Sequence, residues 1–187
     1  MKYLIVGLGN PGDEYRNSRH NIGYKVLDSL AEKSGIVFSD KRYAYVAELK
    51  VRGKILVLIK PTTYMNLSGN AVNYYLKKEK VPLEKMMIIV DDLALPLGAI
   101  RIKTKGGSGG HNGLQHIEDI LGCNDYIRMR IGIGDEFNQG QQVDYVLGEW
   151  TKEEMEKLSA KVVIAADAVL SFPHIGIERT MNLFNNK

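Results

Sequence analysis

One histidine, a pair of carboxylates and three amides are the residues of this sequence best suited to chemistry. His20 stands in a polar stretch, Gly7 to Gly23, that also holds Asn10, Tyr15 and Arg19. Asp91-Asp92 ends a strongly apolar run, Asn66 sits in Thr62-Thr63-Tyr64-Met65-Asn66, and His111-Asn112 closes a glycine run that starts at Lys105. A neutral imidazole can take a proton from water. A carboxylate on its other nitrogen fixes the tautomer and stabilises the imidazolium that forms. Side-chain amides can donate to a carbonyl oxygen as it gains charge. No G-x-S-x-G is present, so no serine nucleophile elbow is expected. The set suits hydrolysis of an ester or amide by water, without a covalent intermediate.

These groups are useful only if the fold gathers them. Tyr3 to Val6 predicts a buried first strand, and Ile22, Val26, Leu27, Leu30 and Ala31 predict a helix stopped by Gly35. Strands are expected over Tyr43 to Val51, Lys54 to Lys60, Met86 to Val90, Ile100 to Thr104 and Tyr126 to Ile133, the first with Tyr43 and Tyr45 on one face. Helices are expected from Ser68, as an N-cap, and over Leu114 to Leu121. Thr151-x-x-Glu154 spells a capping box that opens the longest helix, Phe172-Pro173 predicts its end, and Ile177 to Phe184 predicts a last short one. Asp135 to Gln142 reads as a polar loop. The alternation predicts one α/β domain over residues 1–187, with a mixed, largely parallel twisted sheet surrounded by helices. Ligands of such sheets bind beyond the carboxyl ends of the strands, so the four polar loops are expected to meet at one rim.

Plainer readings stand beside the chemical ones. Asp91, Asn66 and Asn112 can each serve as a cap or turn residue. Lys103, Lys105, Arg128 and Arg130 form either a basic patch or a solvated sheet face. His116 and His174 read as structural. Gly7, Gly9 and Gly12 spell the dinucleotide fingerprint G-x-G-x-x-G. Pro11 has no N–H for a pyrophosphate, and no helical period follows Gly12, so the context fails.

Composition is that of an ordinary globular chain: 187 residues, 44% hydrophobic and 25% charged. The single cysteine, Cys123, excludes an internal disulfide and fits a reducing cytoplasm. No apolar run of membrane-spanning length and no signal peptide are evident. The net charge of +3 permits a nucleic-acid partner without requiring one.

Taken together, the motifs resemble bacterial-type peptidyl-tRNA hydrolases over nearly the whole chain. They are Gly7-Leu8-Gly9-Asn10-Pro11-Gly12 with Tyr15 and Ser18-Arg19-His20-Asn21, then Met65-Asn66-Leu67-Ser68-Gly69 and Asp91-Asp92-Leu93. Gly109-Gly110-His111-Asn112-Gly113, Arg130-Ile131-Gly132-Ile133-Gly134 and Tyr145-Val146-Leu147 follow in order. The resemblance implies a cytoplasmic, monomeric enzyme without metal or cofactor, which cleaves the ester joining a peptide to the 3′ ribose of tRNA. It implies His20 as general base and Asp91 as its partner, with Asn10 favouring N-blocked over free aminoacyl groups. Tyr15, Tyr64, Asn66 and Asn112 match substrate-binding positions, and Lys103, Lys105 and Arg130 match positions expected near tRNA phosphates. The sequence departs from the pattern at Ala94, where many members carry an acid, at Tyr64 in place of phenylalanine, and at Ser108 in place of histidine or alanine.

Overall fold

A computed structural model describes residues 1–185 and 187. Seven strands form one sheet in the order β2-β3-β4-β1-β5-β7-β6. The central strands β1 (Lys2–Gly7), β4 (Lys54–Pro61), β5 (Met86–Asp92) and β7 (Ile127–Gly132) run parallel. β3 (Ala44–Val51) pairs antiparallel with β4, and β2 (Ser39–Lys41) with β3. At the other edge β6 (Ile100–Lys103) is antiparallel to β7. The expected mixed, largely parallel architecture is present.

Both faces of the central strands are buried, because residues pointing alternately up and down are apolar on each side. Tyr3 and Ile5 of β1 pack into a core shared with α1 (Ile22–Ser34), α5 (Lys152–Ile175) and α6 (Ile177–Phe184). Leu4 and Val6 pack into a second core with α2 (Ser68–Glu79) and α3 (Asn112–Leu121). Gly35, at φ 69°, closes α1 in the left-handed conformation. The Thr151–Glu154 capping box is formed in full at the start of α5.

Several expectations are corrected. Ser68 is the first residue of α2 and does not cap it; its hydroxyl donates to the Met65 carbonyl. Tyr43 precedes β3 at φ 65°, so it does not share a strand face with Tyr45. The short β2 lacks any apolar residue, which is why period alone misses it. Pro173 lies inside α5 without ending it: the ring removes one N–H near the C-terminus, and the helix runs two residues further. A short helix, α4 (Gln142–Leu147), begins where the polar loop was expected to end. By length and composition α5 is also long and apolar enough to cross a membrane, contrary to the sequence expectation; an 18-residue window has mean hydropathy 1.4. Its Leu158, Ala165, Ala166, Val169 and Phe172 are buried in the core.

Candidate active site

The junction between β1 and α1 positions His20. Gly7 and Gly23 bring strand end and helix start into backbone contact: a Cβ on Gly7 would lie 2.4 Å from the Gly23 carbonyl oxygen. Between them the chain makes 3-10 turns at Asp13–Tyr15 and Arg19–Asn21. No helix opens at Gly12, so the dinucleotide context is absent. Asn21, almost fully buried, braces the loop by accepting from the Asn10 N–H (2.8 Å) and donating to the Asn10 carbonyl (2.9 Å). Asn10 Oδ1 in turn accepts from the Met65 N–H at 2.7 Å. A backbone donor requires the oxygen there, so the Asn10 NH2 is turned the other way.

At the end of β5, Asp91 is buried between two imidazoles. His20 Nδ1 lies 2.8 Å from both Asp91 oxygens, and His111 Nε2 lies 2.8 Å from Oδ1. The His111 tautomer follows from its other nitrogen. Nδ1 accepts from the Gly113 and Leu114 N–H groups and caps α3, so Nε2 carries the proton and donates to Asp91. Burial on its own would raise the Asp91 pKa; the charges and hydrogen bonds of His20 and His111 outweigh it and hold the carboxyl well below the usual carboxylate range. An ionised carboxylate only accepts, so His20 donates through Nδ1 and keeps its lone pair on Nε2. His20 Nδ1, an Asp91 oxygen and His111 Nε2 also lie close enough to hold a metal ion. Those two nitrogens are the donors to Asp91, so a metal would have to displace both hydrogen bonds.

A cleft of about 450 Å³ opens beside this group. His20, Asp91, His111, Asn112 and Arg130 line it, as do Ala94 and Ser108. Phe137, Val143 and Val146 form its outer wall, from the segment that contains α4. That segment is fastened where it leaves and returns. The Tyr145 hydroxyl donates to the Ile133 carbonyl at 2.6 Å, and the Trp150 N–H to the Asn17 carbonyl at 3.2 Å. Arg19 donates to the Tyr145 carbonyl, pairs with both Glu154 oxygens and lies over the Tyr145 ring at 4.1 Å.

Not every expected site residue is gathered. Asn10 is buried beside Met65, and Asn66 and Tyr64 are exposed on the loop before α2; none of the three, nor Tyr15, lines the cleft. Lys103 and Lys105 are exposed beyond it. Arg130 is half-buried and paired with Asp92 at 3.3 Å. Arg128 is no part of a solvated face: it is fully buried and donates to the Gly107, Asn124 and Tyr126 carbonyls. Because β6 is antiparallel, its carboxyl end points away from the rim. The glycine run returns along the sheet edge, held by Arg128 at Gly107, and delivers His111 to Asp91. His116 is structural, accepting from the Gly69 N–H at 2.9 Å. Sequence reasoning offers His111 only as the next candidate for the base after His20, and it leaves Asn21 and the Arg19 clamp without roles. The one available signal for His111 was a second histidine beside Asn112 in a loop already singled out.

An imidazole beside a cleft, backed by a buried carboxylate at the carboxyl end of a parallel strand, is an arrangement suited to acid–base hydrolysis on an α/β sheet. A family description, "Peptidyl-tRNA hydrolase", matches residues 4–187. The chain is 55% identical to a peptidyl-tRNA hydrolase of Phocaeicola vulgatus and 54% identical to one of Cytophaga hutchinsonii, with 100% of each chain covered in both cases. The crystal structure of peptidyl-tRNA hydrolase from Acinetobacter baumannii superposes with a TM-score of 0.92 at 36% identity, covering 98% of this chain and 94% of that one. The chain belongs to the peptidyl-tRNA hydrolase family, and it is an enzyme of that activity.

Proposed function

We propose that this enzyme cleaves the ester between a peptide, or an N-blocked aminoacyl group, and the 3′ ribose of tRNA by direct attack of a water activated by His20. The observation that carries the reading is the pairing of His20 Nδ1 with Asp91, which leaves Nε2 as the free basic nitrogen beside the cleft. Nε2 takes one proton from water as the water oxygen bonds to the ester carbon. Negative charge passes to the carbonyl oxygen, where amide donors stabilise it; Asn112 lines the cleft and suits that task. As the tetrahedral intermediate collapses, the bond to the ribose oxygen breaks and the imidazolium returns its proton to that oxygen. Asp91 stays ionised throughout and favours the imidazolium. The products are free tRNA and a peptide carboxylic acid that gives its proton to solvent and leaves as the carboxylate, so tRNA held by peptides dropped from ribosomes is recycled.

The fixed NH2 of Asn10 is a donor for the carbonyl oxygen of the group that blocks the acyl amine, and Tyr15, Tyr64 and Asn66 bind substrate outside the cleft. Lys103, Lys105 and Arg130 contact tRNA phosphates. Residues 1–187 work as one catalytic domain, as a cytoplasmic monomer without metal or cofactor. His20→Ala is the direct test. Turnover should fall about 100- to 10,000-fold, the range of general acid–base help, while peptidyl-tRNA is still bound. A loss below about tenfold would assign the base elsewhere.

A further inference from the structure

A second groove, of about 690 Å³, lies between α2 and the turn that joins β2 to β3. One wall is α2, with Asn70, Asn73, Tyr74, Lys77 and Lys78 along it; the other is Arg42 and Tyr43. No lining residue carries a carboxylate.

The groove is built and held. Tyr43 adopts φ 65°, a conformation that bulky side chains rarely enter and that the surroundings must enforce. Its carbonyl accepts from the Thr62 N–H at 2.8 Å, and its ring meets Tyr74 edge-on at 5.3 Å. The Arg42 guanidinium lies 5.1 Å from the Tyr43 ring and 5.4 Å from the Tyr74 ring. The Tyr75 hydroxyl donates to the Arg42 carbonyl at 2.6 Å. Such rings and cations are oriented before any ligand arrives, and tyrosine, asparagine and arginine are the side chains that recognise peptides of varied sequence with little loss of entropy.

Position identifies the occupant. The sheet order sets β6 and β7, with Lys103, Lys105 and Arg130, on one side of Asp91, and β3 on the other. With strands about 4.8 Å apart, β3 stands roughly 14 Å from β5 and 19 Å from β7. The scissile ester joins two arms, and the RNA arm belongs on the β6–β7 flank if the proposed function is right. The peptide arm then leaves toward α2. The loop from Tyr64 to Leu67 leads there: Met65 packs against Gly113 beside the cleft, and Asn70 follows Asn66 by about one helical turn.

We propose that this groove binds the peptide of peptidyl-tRNA beyond its first residue, as an extended strand, with preference for acidic and aromatic side chains. From Asn70 to Lys78 the wall is roughly 12 Å long at 1.5 Å per residue, enough for about three to four extended residues. The inference rests on the proposed placement of tRNA, and the experiment separates the two.

The test compares Arg42→Gln/Lys77→Gln/Lys78→Gln with wild type on three ligands: N-acetylaminoacyl-tRNA, a hexapeptidyl-tRNA rich in aspartate, and deacylated tRNA as competitor. The expected result is a kcat/KM about tenfold lower on the hexapeptidyl substrate alone. Equal loss on both substrates, or no loss on either, would overturn the proposal. Weaker inhibition by deacylated tRNA would assign the groove to RNA instead. The placement of tRNA is judged separately, by whether Lys103, Lys105 and Arg130 variants weaken that same inhibition.

Discussion

The His20 and His111 rings stand 4.9 Å apart, each with one nitrogen 2.8 Å from the same oxygen of Asp91. The two imidazoles are not equivalent. His111 spends its second nitrogen on capping α3, whereas His20 keeps its own beside the cleft. Only His20 has a lone pair to offer water.

This asymmetry predicts different costs for two substitutions at His111. Asparagine retains a cap acceptor and loses the donor to Asp91, while alanine loses both. Turnover should fall to a similar degree in His111→Asn and His111→Ala. Only His111→Ala should lose about 1 kcal/mol of stability, read as a lower Tm. Full turnover in His111→Asn would reduce the second imidazole to a cap.

Asp91→Asn keeps the size of the side chain and removes the charge that favours imidazolium. Turnover should drop by about 100-fold or more, and the acid limb of the pH–rate profile should move to lower pH. An unchanged profile would uncouple Asp91 from His20.

Glu154 provides a test of the fold through pH. Burial alone would raise its pKa; hydrogen bonds from Arg19 and Thr151 and the Arg19 charge outweigh this and lower it. A lowered pKa in the folded state means stability that is present above the unfolded value and lost as pH falls through the folded one. Glu154→Gln should therefore lower Tm near neutral pH, by roughly 2–4 °C for a loss of about 1 kcal/mol. The gap from wild type should close below about pH 4. Thermal unfolding from pH 3 to 8 measures it; a constant gap would show that the charge contributes nothing.

Replacing Lys103, Lys105 and Arg130 together should weaken tRNA binding and flatten its salt dependence, because each lost phosphate contact frees fewer counterions. The slope of log affinity against log salt should change by about two to three, with Arg130 contributing least because Asp92 already pairs with it. A one-nucleoside ester should be cleaved as before. Equal loss on that ester would give these residues to the fold or the chemistry.

The strands and helices with strong apolar period were legible in the sequence, and so was the encounter of His20 with Asp91, since both follow parallel strands. What was hidden depends on direction and context. Nothing in Ile100 to Lys103 says that β6 runs antiparallel, so the return of the glycine run and the meeting of His111 with Asp91 could not be read from it. Arg128 looked solvated because charge predicts exposure; three carbonyls in the surrounding loops accept from its Nη1 and Nη2 instead, while its buried Nε is left unpaired among the described residues. Tyr43 carries a side chain suited to strands and a backbone angle that only its neighbours impose. Pro173 marks a helix end in isolation, yet packing of α5 on the sheet outweighs one missing hydrogen bond.

The segment over the cleft leaves the sheet at Ile133 and returns at Trp150, and both ends are tied to the body of the protein and to each other. A loop with a fastened neck is insulated from its own tip. Doubling its length would add only about 0.6 kcal/mol of closure entropy, and the tip near Gly140 is exposed. The tip near Gly140 can thus be rewritten or lengthened by descent or by design, while the ties at Tyr145 and Trp150, which reach Arg19 beside His20, are left untouched. The substrate range of this enzyme can evolve apart from its chemistry.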